Sequence, residues 1–257
     1  MAVAVAALLD RRTAVQALRK ALPRVDWQLF VARSPSHLVT LLYRHPLDVI
    51  VLGGDVARGP VLAMWREHFP AIPVVAYLAV RGDDADFLTT MRRDGVDAMA
   101  IEGLDEPALP RILARHSLTA HRLADLVPLA GRIDLVDDLQ RRAWREIVAT
   151  AGQRAATASL ARRLGIQRET LSRRFGAGRA PALKRAIDAA RLVVVSRLLE
   201  NPGYSLEDVA RLAGFSSVSN LQACARRTFG TSAGRLRELR VDEVPERLVG
   251  DWSPGWD

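Results

Sequence analysis

Two stretches decide how this chain reads: Leu160-Ala161-Arg162-Arg163-Leu164-Gly165-Ile166 and, 49 residues on, Val209-Ala210-Arg211-Leu212-Ala213-Gly214-Phe215. In each, a small residue, Ala161 or Ala210, lets two helices cross closely. Four residues later a glycine, Gly165 or Gly214, can take the left-handed conformation that ends a helix. An apolar residue, Ile166 or Phe215, then plugs the gap. A second helical run follows, anchored by Leu171 or Leu221, with one apolar face turned inward and a polar face left free. That is the pattern of a helix-turn-helix, whose second helix is shaped to enter a major groove.

Two such units in one segment are a far stronger signal than one. Between them, Pro181–Leu199 reads as a single long helix that sets their spacing. Pro181 suits its first turn, and Ala186, Ala189, Ala190, Val193, Val194 and Leu198 supply an apolar face. The charge falls in the same place. The 257 residues carry a formal net charge of +8. Residues 1–118 hold 14 Lys+Arg against 13 Asp+Glu, whereas residues 152–241 hold 17 against 6. A basic segment joined to a near-neutral one points to a polyanion as partner. An arginine-rich solvated surface is the alternative, since Lys20 and Lys184 are the only lysines.

Upstream, the pattern changes. Short apolar runs, Val3–Leu9, Trp27–Val31, Val49–Leu52, Val74–Leu78 and Ala98–Ile101, alternate with amphipathic runs at Thr13–Ala21, Ser36–Arg44, Val61–His68, Asp84–Arg93 and Glu106–Ala114. The former are too short for helices and nearly unbroken, as strands covered on both faces must be. Pro23, Pro46, Pro70 and Pro73 stand where helix hands over to strand. The expected fold class is therefore α/β, a doubly wound five-stranded parallel sheet, followed by an all-α double helix-turn-helix domain. The expected domains are 1–116, a connector at 117–134 with Pro128 and Gly131, the helical domain at 135–240, and an irregular tail at 241–257 that holds Trp252 and Trp256.

Residues from about 137 to 240 resemble the AraC-type DNA-binding domain. The resemblance rests on Leu160–Phe175, on Ala190-Arg191-Leu192 with Leu198-Leu199, and on Ser205–Gly230. Its most specific part is Gly214-Phe215-Ser216-Ser217 followed by Arg226-Arg227-Thr228-Phe229-Gly230. It implies seven helices and a bacterial transcription regulator with two units touching successive major grooves on one face of DNA. With Leu171 and Phe175 pointing inward, Arg168, Glu169, Ser172 and Arg173 point outward, where the family touches DNA. Arg173 is the leading candidate, as arginine pairs bidentately with guanine edges, while a phosphate or solvent contact is the plainer role. In the second unit Leu221 and Ala225 face in. Val218, Ser219, Asn220 and Gln222 are then the outward candidates, with Val218 suited to a thymine methyl and Gln222 to adenine. Arg226 and Arg227 are expected to anchor on phosphates.

The chain departs from the family at several places. Alanine stands at 225 and 223 where the family has an aromatic and an arginine. Ala233 stands near a usual proline and Leu236 near a usual aromatic. The second unit is therefore expected to pack more loosely and to read DNA less specifically. Cys224, the only cysteine, rules out an intrachain disulfide. It reads as a small buried apolar residue, with a redox switch as the alternative.

The five β/α repeats resemble a response-regulator receiver domain, through Leu47–Leu52, Pro73-Val74-Val75 and Asp94-Gly95-Val96-Asp97-Ala98. Receiver phosphorylation needs a carboxylate after the third strand, an acid pair after the first, a hydroxyl after the fourth and a lysine after the fifth. Those places hold Gly53, Leu9-Asp10, Leu78 and Glu102, and only Asp10 fits. Asp55 is a displaced substitute for the nucleophile or, with Asp10, a plain loop residue; Gly53-Gly54 reads as a turn.

The five histidines, His37, His45, His68, His116 and His121, form no metal-spaced pair, and no catalytic constellation is visible, so no enzyme, cofactor or metal is expected. The apolar run Ala2–Leu9 is too short for a signal peptide and no run reaches about 18 apolar residues, so no membrane is expected and the cytoplasm is the expected location. The expected partners are double-stranded DNA, a second copy through the N-terminal domain, and RNA polymerase. Two alternatives stand: a phosphorylatable response regulator using Asp55, and a low-specificity architectural DNA binder.

Overall fold

The computed structural model describes residues 3–58, 60–79, 85–152 and 157–249. The chain divides into two compact units, the first running to His121 and the second making up most of the remainder.

The first unit alternates strand and helix: β1 Val3–Leu8, α1 Arg12–Ala21, β2 Trp27–Val31, α2 Pro35–Arg44, β3 Val49–Gly53, α3 Gly54–Arg58, α4 Pro60–His68, β4 Val74–Leu78, α5 Ala85–Arg93, β5 Ala98–Ile101 and α6 Leu109–His116. The strands pair in parallel in the order β2-β1-β3-β4-β5. This is the receiver- and flavodoxin-like doubly wound order, and the nearly unbroken apolar strands suit its two covered faces. Helices cover both faces, so both rows of side chains on the central strands β3 and β4 are fully buried, while the edge strands β2 and β5 are partly exposed. One face buries Val5, Ala7, Val49, Val51, Val75 and Tyr77 against Leu18, Leu109 and Leu113. The intervening residues Ala6, Ile50, Leu52 and Ala76 are equally buried on the other face. Asp48, just before β3, accepts from the Ala4 amide at 3.0 Å and from the Thr119 hydroxyl at 2.7 Å, so one carboxylate ties β1 to the chain just after α6. The short α3 was not anticipated: five residues are too few to show a helical period.

Residues 117–134 differ from the expected connector. They form α7, Leu118–Leu126, and a 3-10 helix, Val127–Ile133, which stops at Asp134 with φ +56°. Their few apolar residues are well used. Leu126 and Ile133 are fully buried, and the buried Trp144 indole N–H donates to the Leu126 carbonyl at 2.9 Å.

The helical unit continues with α8 Asp138–Thr150, α9 Thr157–Arg163, α10 Arg168–Phe175, α11 Leu183–Leu199, α12 Leu206–Leu212 and α13 Val218–Phe229, then a 3-10 helix at Gly234–Glu238. Helix α11 is its centre. It buries Ala186, Ala189, Ala190, Leu192, Val193, Val194, Val195 and Leu198, which is apolar cover on nearly every side. Helix α8 opens with a reciprocal capping box between Asp137 and Gln140. The same buried Gln140 amide donates to the Phe175 carbonyl at 2.9 Å, so it closes the end of α10 as well.

The expected irregular tail is also partly helical. A 3-10 turn, Val241–Glu243, leads into α14, Val244–Val249, which buries Val244, Pro245 and Leu248. Pro245 is a breaker inside a helix but is tolerated in the first turn, where it stands here. Trp252 and Trp256 lie outside the described residues.

Candidate nucleic-acid interface

The two repeated stretches form matching turns. After α9, the Ile166 amide donates to the Ala161 carbonyl at 3.1 Å and the Gly165 amide to Arg162 at 3.2 Å. After α12, Phe215 donates to Ala210 at 2.8 Å and Gly214 to Arg211 at 3.0 Å. This paired pattern is the Schellman helix stop, which requires a left-handed residue at the glycine. Gly165 has φ +69° and Gly214 φ +76°. Two helices are thus turned sharply against one another in each copy, α9 against α10 and α12 against α13.

Helix α10 buries Leu171 and Phe175 and exposes Arg168, Glu169, Ser172 and Arg173 on the opposite side, together with Arg174. Arg174 lies 3.7 Å from Asp137. Helix α13 is the longer of the two. Ser217 caps its start by accepting from the Asn220 amide at 3.1 Å, and Gly230, at φ +65°, ends it. Leu221, Cys224, Ala225, Thr228 and Phe229 face in. Ser219, Asn220, Ala223, Arg226 and Arg227 are exposed, whereas Val218 and Gln222 are half-buried.

Three of the outward candidates on α13 already have intramolecular partners. The Gln222 side-chain oxygen accepts from the Ala233 amide at 2.9 Å. Asn220 donates to the Ser216 hydroxyl. The Arg227 guanidinium meets Asp188 of α11 at 3.0 Å. Ala225, Ala233 and Leu236, where an aromatic, a proline and an aromatic were expected from the resemblance, are all fully buried.

Asp188 and Lys184 escaped the sequence reading. Their i,i+4 spacing was visible, but Asp188 lies on the buried side of an apolar helix, and only tertiary packing shows that it receives Arg227 from α13. Arg191, also on α11, donates to the Ala213 carbonyl at 2.7 Å and lies 3.8 Å from the centre of the Phe215 ring. It thereby holds the turn between α12 and α13. Cys224 is buried, and burial first, then the nearby Asp188 charge, push its thiol above the ordinary range. That is the environment of an inert packing thiol.

In the N-terminal unit the receiver positions converge at the C-terminal ends of the strands. A side chain at Gly53 would collide with the Asp10 carboxylate. The same carboxylate accepts from the Asp55 amide at 3.0 Å, with Asp55 exposed in the first turn of α3. Leu78 is fully buried. Glu102 pairs with Arg11, yet burial outweighs the pairing and raises its carboxyl above the ordinary range. Nearby, the buried Tyr77 hydroxyl donates to Glu106 at 2.5 Å. Burial first and then that hydrogen bond push the phenol up. Among the described residues no group of three or more His, Cys, Asp or Glu could hold a metal ion, and no helix is long and apolar enough to cross a membrane.

Residues 160–239 match the family described as "Helix-turn-helix domain", which is of the AraC type. No curated protein matches. Among solved structures, the chain is similar to full-length FixJ from B. japonicum at 12% identity, covering 92% of this chain and 98% of that one with a TM-score of 0.40. It is similar to a response regulator from Thermotoga maritima at 18% identity, covering 45% and 97%, TM-score 0.40. RcsB from Salmonella enterica serovar Typhimurium bound to promoter rprA matches at 16% identity, covering 66% and 86%, TM-score 0.37. The fold of the N-terminal unit rests on its own strand order.

Proposed function

We propose that this chain, whose residues 160–239 form a helix-turn-helix domain of the AraC type, is a sequence-specific regulator of transcription that reads DNA with both α10 and α13. The observation that carries this reading is the repeated turn: two glycine-stopped helix pairs of the same geometry, each leaving a polar helix face exposed, in the most basic segment of the chain. The exposed Arg168, Glu169, Ser172 and Arg173 of α10 are suited to base edges and phosphates. On α13, Ser219 and Asn220 are exposed beside the half-buried Val218, and Arg226 is exposed toward the end. The partners proposed are duplex DNA, RNA polymerase and, through the N-terminal unit, a second copy of the chain.

The receiver-like unit acts in this reading by protein contact and not by phosphoryl transfer. Gly53 supplies no nucleophile, and a larger residue there would meet Asp10. Leu78 supplies no hydroxyl, and an acid, Glu102, stands in place of the lysine. No enzymatic step is assigned to the chain. Selection of bound sites from a random duplex pool tests the reading. One enriched motif with two half-sites about one helical turn apart is the expected result. Uniform recovery of all sequences would favour an architectural binder, and no recovery would overturn DNA binding itself.

A further inference from the structure

Beside α13, and within the helical unit, lies an open cleft of about 500 Å³ whose lining includes Lys184, Asp188 and Arg191 from α11 and Ser216, Asn220 and Arg227 from the second helix pair. Its floor is a carboxylate: the Asp188 side chain is 3% exposed. Burying a carboxylate is costly unless it is paired. Here it receives Lys184 from one turn away on its own helix and Arg227 from α13. Both cations keep their outer surfaces in water, at 70% and 63% exposure. The cleft therefore presents two tethered positive groups at its rim over a single negative charge that solvent barely reaches. Arg191 adds a third cation to the lining.

We propose that this cleft seats a backbone phosphate of bound duplex DNA between Lys184 and Arg227, and that Asp188 is the positioning residue that holds both in place. This rests on the DNA-binding reading above. A guanidinium that gives one edge to a carboxylate keeps another edge for a phosphate. Two long side chains fixed before binding lose less freedom on binding. The cleft runs along one side of α13, from Asn220 in its first turn to Arg227 in its last, so a strand whose groove holds α13 passes the cleft mouth.

The test measures affinity of the full chain for its selected duplex and for a scrambled one across a salt series. Lys184→Gln and Arg227→Gln should each lower the slope of log K against log salt by about 0.9 and weaken both duplexes by the same factor. Asp188→Asn preserves the shape and adds one unit of positive charge. Charge alone then predicts tighter binding, whereas loss of positioning predicts binding about 2- to 12-fold weaker. Added to the Lys184→Gln, Arg227→Gln pair, Asp188→Asn should cost nothing further. Unchanged slopes for the two surface variants would overturn the seat, as would tighter binding by Asp188→Asn. Inorganic phosphate at fixed ionic strength should compete no better than chloride; saturable competition would assign the cleft to a free anion and overturn the proposal. If Asp188→Asn fails to fold by circular dichroism, the two surface variants still decide. A wild-type chain that binds no duplex at any salt would instead remove the underlying reading.

Discussion

Replacing Gln222 separates a reading role from a holding role. A bidentate pair with adenine uses both ends of the amide, but the Gln222 oxygen already accepts from the Ala233 amide, and Ala233 is fully buried. Gln222→Ala leaves that N–H without a partner where water does not readily reach it. Such an orphaned donor costs about 1–3 kcal/mol. Since each 1.4 kcal/mol is about tenfold, local opening of the backbone around Ala233 becomes about 5- to 140-fold more frequent. Amide hydrogen exchange in the full chain reads this directly over the segment after α13. Gln222→Glu keeps the acceptor and removes the donor, so exchange should stay near wild type there. On DNA, Gln222→Ala should change discrimination at any single base pair by less than about fivefold, below the 1–3 kcal/mol of a good bidentate contact. Unaltered exchange together with a large loss of preference at one A·T pair would refute the reasoning and return Gln222 to the bases.

The other expectations follow from the same geometry. Arg173→Ala should cost about 1–3 kcal/mol on the preferred site and flatten discrimination at one or two base pairs, whereas Arg226→Ala should weaken preferred and scrambled duplexes alike; equal losses on both duplexes for Arg173→Ala would contradict this division. Gly165→Ala meets no atom within 4 Å, so its cost is the left-handed backbone alone, about 1–2 kcal/mol, read in the denaturation midpoint; a larger loss would mean that the turn is crowded. Incubation with a small phosphodonor and magnesium should leave the intact mass unchanged, and a stoichiometric phosphate on Asp55 would promote the phosphorylatable reading.

Much of the architecture was legible because it depends on local pattern. All five strands and their flanking helices lie within a few residues of the apolar and amphipathic runs, since a strand buried on both faces has to be an unbroken apolar run. Both helix stops were visible as glycines because glycine takes that φ with no steric penalty. The inward pairs Leu171 with Phe175 and Leu221 with Ala225 follow from helix phase alone. The helices at 118–126 and 244–249 were not visible. One has weak apolar spacing and the other begins beside a proline, and each is held by what it packs on: α7 by Trp144, and α14 by its buried Val244 and Leu248, with Arg247 donating to the Phe229 carbonyl at 3.0 Å.

What the sequence determined by itself was the order of elements, the position of the turns and which face of each reading helix points out, because these follow from periods of two and 3.6 residues and from backbone sterics. What only the tertiary structure decided was which outward polar groups remain free. Gln222 is taken by an amide eleven residues away, one edge of Arg227 by a carboxylate on another helix, and Asp10, in the loop after β1, fills the space beside Gly53. Such pairings join residues far apart in the chain, and a hydrogen bond is set by distance and direction in space, to which local spacing along the sequence is blind.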